Sequence, residues 1–543
     1  MRHRPRWLLA LLAYALTSPA YAQTYYWSGG GSDTSWSTGE NWSPNGPPGN
    51  SDNAVFNSFG AAAGTTSVNP TLTANRSLNS LVFAPNQTFG GWTLGQDGSN
   101  RTLTIGGSSS TGLTTYGPAT YTIDGVKLQG VSSTNTLALT VTNGSYLKLS
   151  GVAAATTNIA TSNGINIIGG TMLLDNTSTK VATRLATGST ILMRSGTLEV
   201  LGNSEATTYT LGGLSTASTG MAGVNVIRVN PSNAVDAGVP TVTFANGASG
   251  VGFSLRPTTF MVLQFESTGV LGTDAKITFT GNPFTGANGL LSHTLDGQAF
   301  GHAIVRDDNG VDFATWTHSD GVKAAGATEI KSSLAAISST NNTSRVYYNP
   351  TDSETATGIL NAGSLRITPG ESGLTLSMGA HNLGTHALML NGSADFTISG
   401  TGAISSPPLS NGDSGGGPKF IYVNDASATL TVSLAIQSGG DPTSIAGPGI
   451  VALNGTTRQI TSASSRLNLL DGVLRGNNTN IGFRSSLSSS SQITFRGGVL
   501  ELSGGSNMDG NNADFIRSLG TTSGRVSWKV VREGSLRSAI MRA

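Results

Sequence analysis

The chain has 543 residues, 73 of them glycine and none cysteine, and only 11% are charged, against a usual value near one quarter. The missing cysteines exclude disulfides, thiolate metal sites and a cysteine nucleophile. Thirty basic residues face 29 acidic ones, which leaves no basic stripe for nucleic acid, and 37% hydrophobic residues in regular alternation argue against disorder.

Residues 1–22 read as a signal peptide. Arg2, Arg4 and Arg6 make a basic start, Trp7 to Leu16 is an apolar run too short for a bilayer, and Ala20-Tyr21-Ala22 fits a cleavage site. Taking those three arginines from the 30 basic residues leaves 27 against 29, a mature net charge of −2. No later stretch is apolar enough for a transmembrane helix, so no membrane-spanning segment is expected in the mature chain.

Residues 23–62 are rich in aromatics, with Trp27, Trp36 and Trp42 ahead of Pro47-Pro48 and Asp52-x-Ala54-x-Phe56. Tryptophans here serve one of two ends. They cap the open edge of the first strand layer, or they stack on sugar rings; the cap is the expected role.

From 63 to 292, and again from 346 to 528, the chain consists of short period-two runs broken by Gly, Asn or Ser. Leu103-Thr-Ile105, Leu137-Ala-Leu139-Thr-Val141 and Leu147-Lys-Leu149 are examples. Such alternation means strands with one buried face. Helical spacing is nearly absent, Ser332 to Ile337 being the best case. Four segments share a template: INIIGGTMLL (165–174), ILMRSGTLEV (191–200), LNLLDGVLRG (467–476) and ITFRGGVLEL (493–502). Gly170 to Gly196 and Gly472 to Gly498 are both 26 residues apart. A strand–glycine–strand unit at that period is the mark of a solenoid. The expected fold is all-β, a right-handed parallel β-helix with an aromatic-rich N-terminal cap; the alternative is a row of β-sandwiches. Glycine and asparagine are expected at its bends, and asparagine also in ladders between layers.

Residues 293–345 break the pattern with more charge and a Ser/Asn/Thr-rich end, and read as an irregular excursion on the stack. Within them RDDNGVD (306–312) offers Asp307, Asp308, Asn309 and Asp312 as oxygen ligands for calcium. The spacing departs from the EF-hand and from Gly-rich nonapeptide arrays, so a solvated turn is expected.

NGDSGGGPKF (411–420) resembles the GDSGGP segment around the nucleophile of chymotrypsin-like proteases. An extra glycine separates Gly416 from Pro418. The required order of His, Asp and Ser finds only His293, His302, His318, His381 and His386 upstream of Ser414, and Asp395 follows His386 by nine residues. A Gly/Asp/Ser turn accounts for the segment.

Lyases and hydrolases built on β-helices need carboxylates clustered on adjacent layers. Glu199 and Glu501 sit between inward Leu198 and Val200, and Leu500 and Leu502, so both point outward, but about 300 residues apart. Asp175 with Lys180 and Arg184 is the nearest thing to a cluster, and it is thin. No catalytic, cofactor-binding or metal-binding residue is assigned, and no cofactor is expected.

The opening YYWSGGGSDTSWSTGENWSPNGPPGNSDNAVFN and LVFAPNQTFGGWTLG (81–95) resemble proteins with autotransporter-associated β-strand repeats. So do GGTMLLDN, SGTLEVLGN, FRGGVLELSGG, DFATW (312–316) and DFIRSLGTTSGRVSW (514–528). The likeness runs over residues 24–528 and rests on the order of these motifs. It implies an exported β-helical passenger, commonly large and usually without assigned activity, on the surface or outside of a Gram-negative-type bacterium. Residues 529–543, KVVREGSLRSAIMRA, depart from the Gly-rich stretch that the resemblance implies. They read as the product of a frameshift, with a genuine short basic tail as the alternative. The functional expectation is a structural or adhesive protein, not an enzyme, that meets surface glycans or envelope components through a long polar face; the alternative is a carbohydrate-active enzyme.

Overall fold

Alternating runs of three to eight residues leave the chain one economical way to satisfy its backbone, which is pairing with the next such run. In the computed structural model, which describes residues 22–57, 69–85, 90–106, 112–131, 137–142, 144–152, 164–215, 223–232, 238–245, 261–281, 290–291, 303–334, 344–405, 420–437, 443–456, 467–476, 493–495, 497–502, 527–532 and 535–540, these runs are strands, and most pair in parallel. Among the described residues there is no α-helix, only a 3-10 turn at Gly39–Asn41. Ser332 to Leu334 are not helical, and the rest of that candidate stretch lies outside the described residues. The protein is therefore all-β, with parallel sheets, and its chain divides into two compact units, residues 1–160 and 161–543.

The first unit holds three ladders. One joins Thr24–Trp27, Asn53–Phe56, Ser80–Phe83, Leu113–Thr115 and Leu139–Thr142. Another joins Thr71–Leu72, Trp92–Gln96, Thr120–Asp124 and Tyr146–Ser150. The third joins Arg76–Leu78, Thr102–Ile105 and Lys127–Gly130. Register stacks like on like: Leu81, Leu113 and Leu139 form one buried row, and Leu94, Ile123 and Leu149 another. Asn53 takes part in a side-chain ladder as expected, its Oδ1 accepting from Asn79 Nδ2 at 2.8 Å.

The second unit opens with the same construction. Thr171–Asp175, Thr197–Leu201, Gly223–Asn230, Met261–Glu266 and Ala303–Asp307 pair in turn, beside shorter ladders through Ile165–Ile168 and Ile191–Arg194 and through Thr208–Leu211, Thr241–Phe244 and Lys276–Phe279. At Ala303–Asp307 the pairing turns antiparallel, through Gly310–Thr317 and Gly321–Ala324. A second set of parallel ladders starts at Glu329–Lys331. It carries Arg345–Tyr348, Leu360–Ile367, Leu383–Leu390, Phe420–Val423, Thr443–Ala446 and Leu467–Leu469 on one sheet. The other sheet carries Leu374–Ser377, Phe396–Ser399, Thr429–Val432, Ile450–Leu453, Val473–Gly476 and Val499–Leu502. Between them lies a continuous aliphatic core, from Val346 and Leu365 to Leu469 and Leu500. At the end of the second sheet Ser527–Arg532 adds in parallel and Ser535–Ile540 folds back antiparallel.

The 26-residue template is a ladder register. Ile165 pairs with Ile191, Met172 with Leu198, Leu467 with Ile493 and Leu474 with Leu500. The bend differs between the two pairs. In the earlier one the left-handed residue is the fifth of the template, Gly169 (φ +68°) and Ser195 (φ +53°); in the later one it is the sixth, Gly472 (φ +67°) and Gly498 (φ +68°).

The two sets of ladders in the second unit also touch each other. Leu383–Leu390 is buried along its whole length, because Leu388 and Leu390 face its own core while Ala387 and Met389 join Val262, Ile304, Val311 and Phe313 of the earlier set. A strand covered on both faces loses the alternation of buried and exposed positions, so Thr385 and His386 are buried along with the apolar run 387–390. Among the described residues no helix is long and apolar enough to cross a membrane.

Candidate functional site

The aromatic opening is interior. Trp27, Trp36 and Trp42 are 1%, 0% and 3% exposed. Phe56 sits among them, its ring centroid 5.8, 5.7 and 5.7 Å from theirs, and continues the column to Phe83 at 5.2 Å. Trp42 Nε1 donates to the Trp36 carbonyl at 2.8 Å. The short strand Trp42–Ser43 lies antiparallel on the edge of Thr24–Trp27. Rings held this way have no face for a sugar, and their packing covers the edge where the first ladder starts.

The second unit brings together charges that are far apart in sequence. On the ladder that ends at Ala303–Asp307, register sets Glu199 beside Arg228, Arg228 beside Glu266 and Glu266 beside Arg306. Arg228 donates to Glu266 Oε2 through Nε at 2.7 Å and Nη2 at 2.5 Å, and its Nη1 stands 3.6 Å from Glu199 Oε2. Asn230 Nδ2 donates to Glu199 Oε1 at 3.2 Å, and Gln264 donates to Glu266. Arg306 Nη2 donates to the Tyr422 hydroxyl at 3.2 Å and to Asn424 Oδ1 at 3.1 Å, which ties the row to the later ladders. Burial pulls the Arg228 pKa down, but Glu266 and then Glu199 outweigh it, so the guanidinium is held above its usual range.

Glu199 thus points away from Leu198 and Val200, as alternation requires, yet its side chain is only 11% exposed and that of Glu266 12%. Glu501 stands in a separate place, paired with Arg475 at 3.0 Å. Asp175 accepts from the Thr177 N–H at 2.9 Å and its hydroxyl at 2.7 Å. Lys180 instead reaches Glu205 at 3.1 Å. Arg184 is buried against Asn176 Oδ1 (3.1 Å) and the Thr179 carbonyl (3.0 Å), in a knot that includes the Tyr209 hydroxyl. Arg228 and Glu266 were not singled out from the sequence; their only signal was a charged residue at an outward position of each of two strands.

The acidic run is split by its own hairpin. Asp308 and Asn309 form the turn, and Asp307 accepts from the Asn309 N–H and the Leu271 N–H, each at 3.0 Å. Asp312 is buried elsewhere: it accepts from the Gly326 N–H at 3.2 Å and from the Tyr347 hydroxyl, with Arg366 Nη1 at 3.3 Å. Among the described residues no three His, Asp or Glu side chains come together as a metal site. Ser414, His293 and His302 lie outside the described residues; His386 is buried within its strand, and Asp395 Oδ1 accepts from the Thr429 N–H at 2.7 Å.

The outward faces carry hydroxyls in register. Thr210, Thr243 and Thr278 form one row; Thr375, Thr397 and Thr431 form another, with Ser377 beside Ser399. In the first unit Thr93 pairs with Thr122 and Thr114 with Thr140. All are half-buried or exposed, and the rows repeat at the ladder spacing of about 4.8 Å. No protein-family model, curated protein or solved structure matches this chain.

Proposed function

We propose that this chain is an exported, non-enzymatic structural or adhesive protein. In this reading its ladders close into a right-handed parallel β-helix of the autotransporter-passenger type, headed by an aromatic cap. It acts on the surface or outside of a Gram-negative-type bacterium, where surface glycans or envelope components are its partners. The observation that carries the reading is the set of registered hydroxyl rows, Thr210–Thr243–Thr278 and Thr375–Thr397–Thr431 above all. Each contact from such a row is weak. Many in register on one rigid scaffold act at high effective concentration, so avidity replaces a single strong site.

The alternative, a carbohydrate-active enzyme, draws on the Glu199–Arg228–Glu266 row, in which two carboxylates flank the strand that carries Arg228. An acid–base pair needs both carboxyl groups turned to a substrate. Here Arg228 stands between them and engages both, and Asn230 and Gln264 take further oxygens. That arrangement favours a structural role.

The test has two readouts on the purified full chain. Retention on envelope fractions should fall when Thr375, Thr397 and Thr431 are all changed to Lys, while Thr→Ser at the same positions preserves it. Unchanged retention in the Lys variant would refute the polar-face reading. Release of oligosaccharides from any supplied polysaccharide, abolished by Glu266→Gln, would replace it with the enzyme.

A further inference from the structure

The first unit has a groove of about 660 Å³ on the ladder through Trp92–Gln96, Thr120–Asp124 and Tyr146–Ser150. It forms at the entry to these three strands, where Gly90-Gly91, Pro118-Ala119 and Gly144 lead in. The register explains the hollow. Thr120 pairs with Tyr146 and Thr93 with Thr122, so these side chains share the outer face, while Trp92 and Tyr121 turn inward and are buried. Gly91 gives that face no side chain at all, and none would fit, since a Cβ there would run into the Thr120 carbonyl.

The lining holds no carboxylate, ammonium, guanidinium or imidazole. What it does hold is the hydroxyls of Thr93, Thr120 and Thr122, the exposed amide of Asn69, the exposed ring of Pro118 and the half-buried phenol ring of Tyr146. None of the three threonine hydroxyls has a side-chain hydrogen bond among the described residues, whereas the exposed Asn69 accepts from the Thr93 N–H through Oδ1 at 2.9 Å.

This chemistry excludes more than it admits. Without charge the groove has no attraction for phosphate, nucleic acid or a cation. The middle strand of the three, Thr120–Asp124, is paired along both edges, so an extended peptide cannot add beside it as a further strand. A lipid or apolar peptide would find no contiguous apolar floor to bury. A neutral saccharide is complementary on each count: its hydroxyls both donate to and accept from Thr and Asn side chains, and the C–H face of a ring packs on Tyr146 and Pro118. We infer that this groove, lined by Asn69, Thr93, Pro118, Thr120, Thr122 and Tyr146, is a binding site for a neutral glycan chain. The inference rests on the adhesive reading above and deepens it by naming a ligand class and a place.

The experiment uses the full chain against immobilised dextran, mannan and cello-oligosaccharides, with alginate and heparin as charged controls and whole envelope fractions on the same surface. Thr122→Trp fills the groove at an outward strand position that suits an aromatic. Gln129→Trp makes the same change at an outward position of Lys127–Gly130, on a ladder of the first unit that does not line the groove. A second variant, Thr120→Ala with Thr122→Ala, removes two hydroxyls without adding bulk, in case the tryptophan impairs folding. At least one neutral glycan should bind, about tenfold more weakly in either groove variant and unchanged in Gln129→Trp. Equal binding by wild type and both groove variants overturns the site. Retention on envelope, or on the charged polymers alone, with none on neutral glycans overturns the ligand class and leaves adhesion standing. Binding to none of these surfaces overturns both.

Discussion

Replacing Asp312 with alanine tests whether the two sets of ladders in the second unit are held together by their few buried charges. The carboxylate is 6% exposed and accepts from the Tyr347 hydroxyl and the Gly326 N–H, with the Arg366 guanidinium at 3.3 Å. Arg366 in turn lies 4.3 Å over the Tyr347 ring and donates to the Val311 carbonyl at 3.3 Å. Asp312→Ala therefore strands a buried phenol and a guanidinium that is 21% exposed. Breaking a buried ion pair from one side costs about 3–5 kcal/mol; water reaching the arginine offsets part of that, so the expected loss is about 3 kcal/mol. Asp312→Asn keeps an acceptor and should lose about half as much. Urea unfolding of the full chain gives the number, as a lower midpoint at unchanged slope. Hydrogen exchange should rise first at the amides of Tyr347, Tyr348 and Arg366. A loss below about 0.5 kcal/mol would refute the reasoning, because it would place Asp312 in the ordinary range of surface substitutions.

The remaining predictions concern the interior. Burial pushes Tyr209 from 10.0 up to about 12, so the folded state keeps a proton that the unfolded state releases; its contribution is intact below pH 10 and is lost as pH rises from 10 through about 12. Burial also raises Tyr121, Tyr347 and Tyr348, so Tyr209→Phe should reduce, not remove, the alkaline fall in urea midpoint. Trp36→Ala deletes a side chain that is 0% exposed and 4.7 Å from the Trp42 ring, and should cost about 3–5 kcal/mol in thermal unfolding of the first unit; an unchanged melt would mean that the aromatic opening is not a packed cap. Gly472→Ala forces a side chain onto φ +67° and into the Gly447 carbonyl, for a loss of about 2 kcal/mol or more, whereas Gly358→Ala, with open space around it, should stay within about 0.5 kcal/mol.

Strand identity was legible wherever one face met solvent. Leu103-Thr-Ile105 and Leu147-Lys-Leu149 alternate in sequence and in burial, because a single core covers one side. The 26-residue repeat was legible for the same reason: in those two places the intervening loop keeps its length, so self-alignment recovers the register. The bends were not. Gly170, Gly196, Gly472 and Gly498 share a template position, but only the last two are left-handed there; Gly196 answers to a steric limit instead, a Cβ lying 2.5 Å from the Ile167 carbonyl oxygen. Sequence shows that a glycine is needed without showing which need it meets.

The charged row was hidden by loop length. Glu199 to Arg228, Arg228 to Glu266 and Glu266 to Arg306 are spacings of 29, 38 and 40 residues, so no fixed period aligns them, although each step is one strand in space. Its position has a physical logic in a chain with so little charge. A threonine row tolerates a register slip of two residues, since one hydroxyl replaces another beside a polar neighbour. The Glu–Arg–Glu–Arg row does not: the same slip leaves Glu199 and Glu266, each nearly nine-tenths covered, without their guanidinium, and burying an unpaired charge costs several kcal/mol on the order estimated for ion pairs in protein interiors. Arg306 extends that constraint to Tyr422 and Asn424, so the row that sets register within the earlier ladders also sets where the later ones dock. Hydroxyls repeat along the outer faces with little to tell one register from another, while the charges of this row sit where only one arrangement satisfies them.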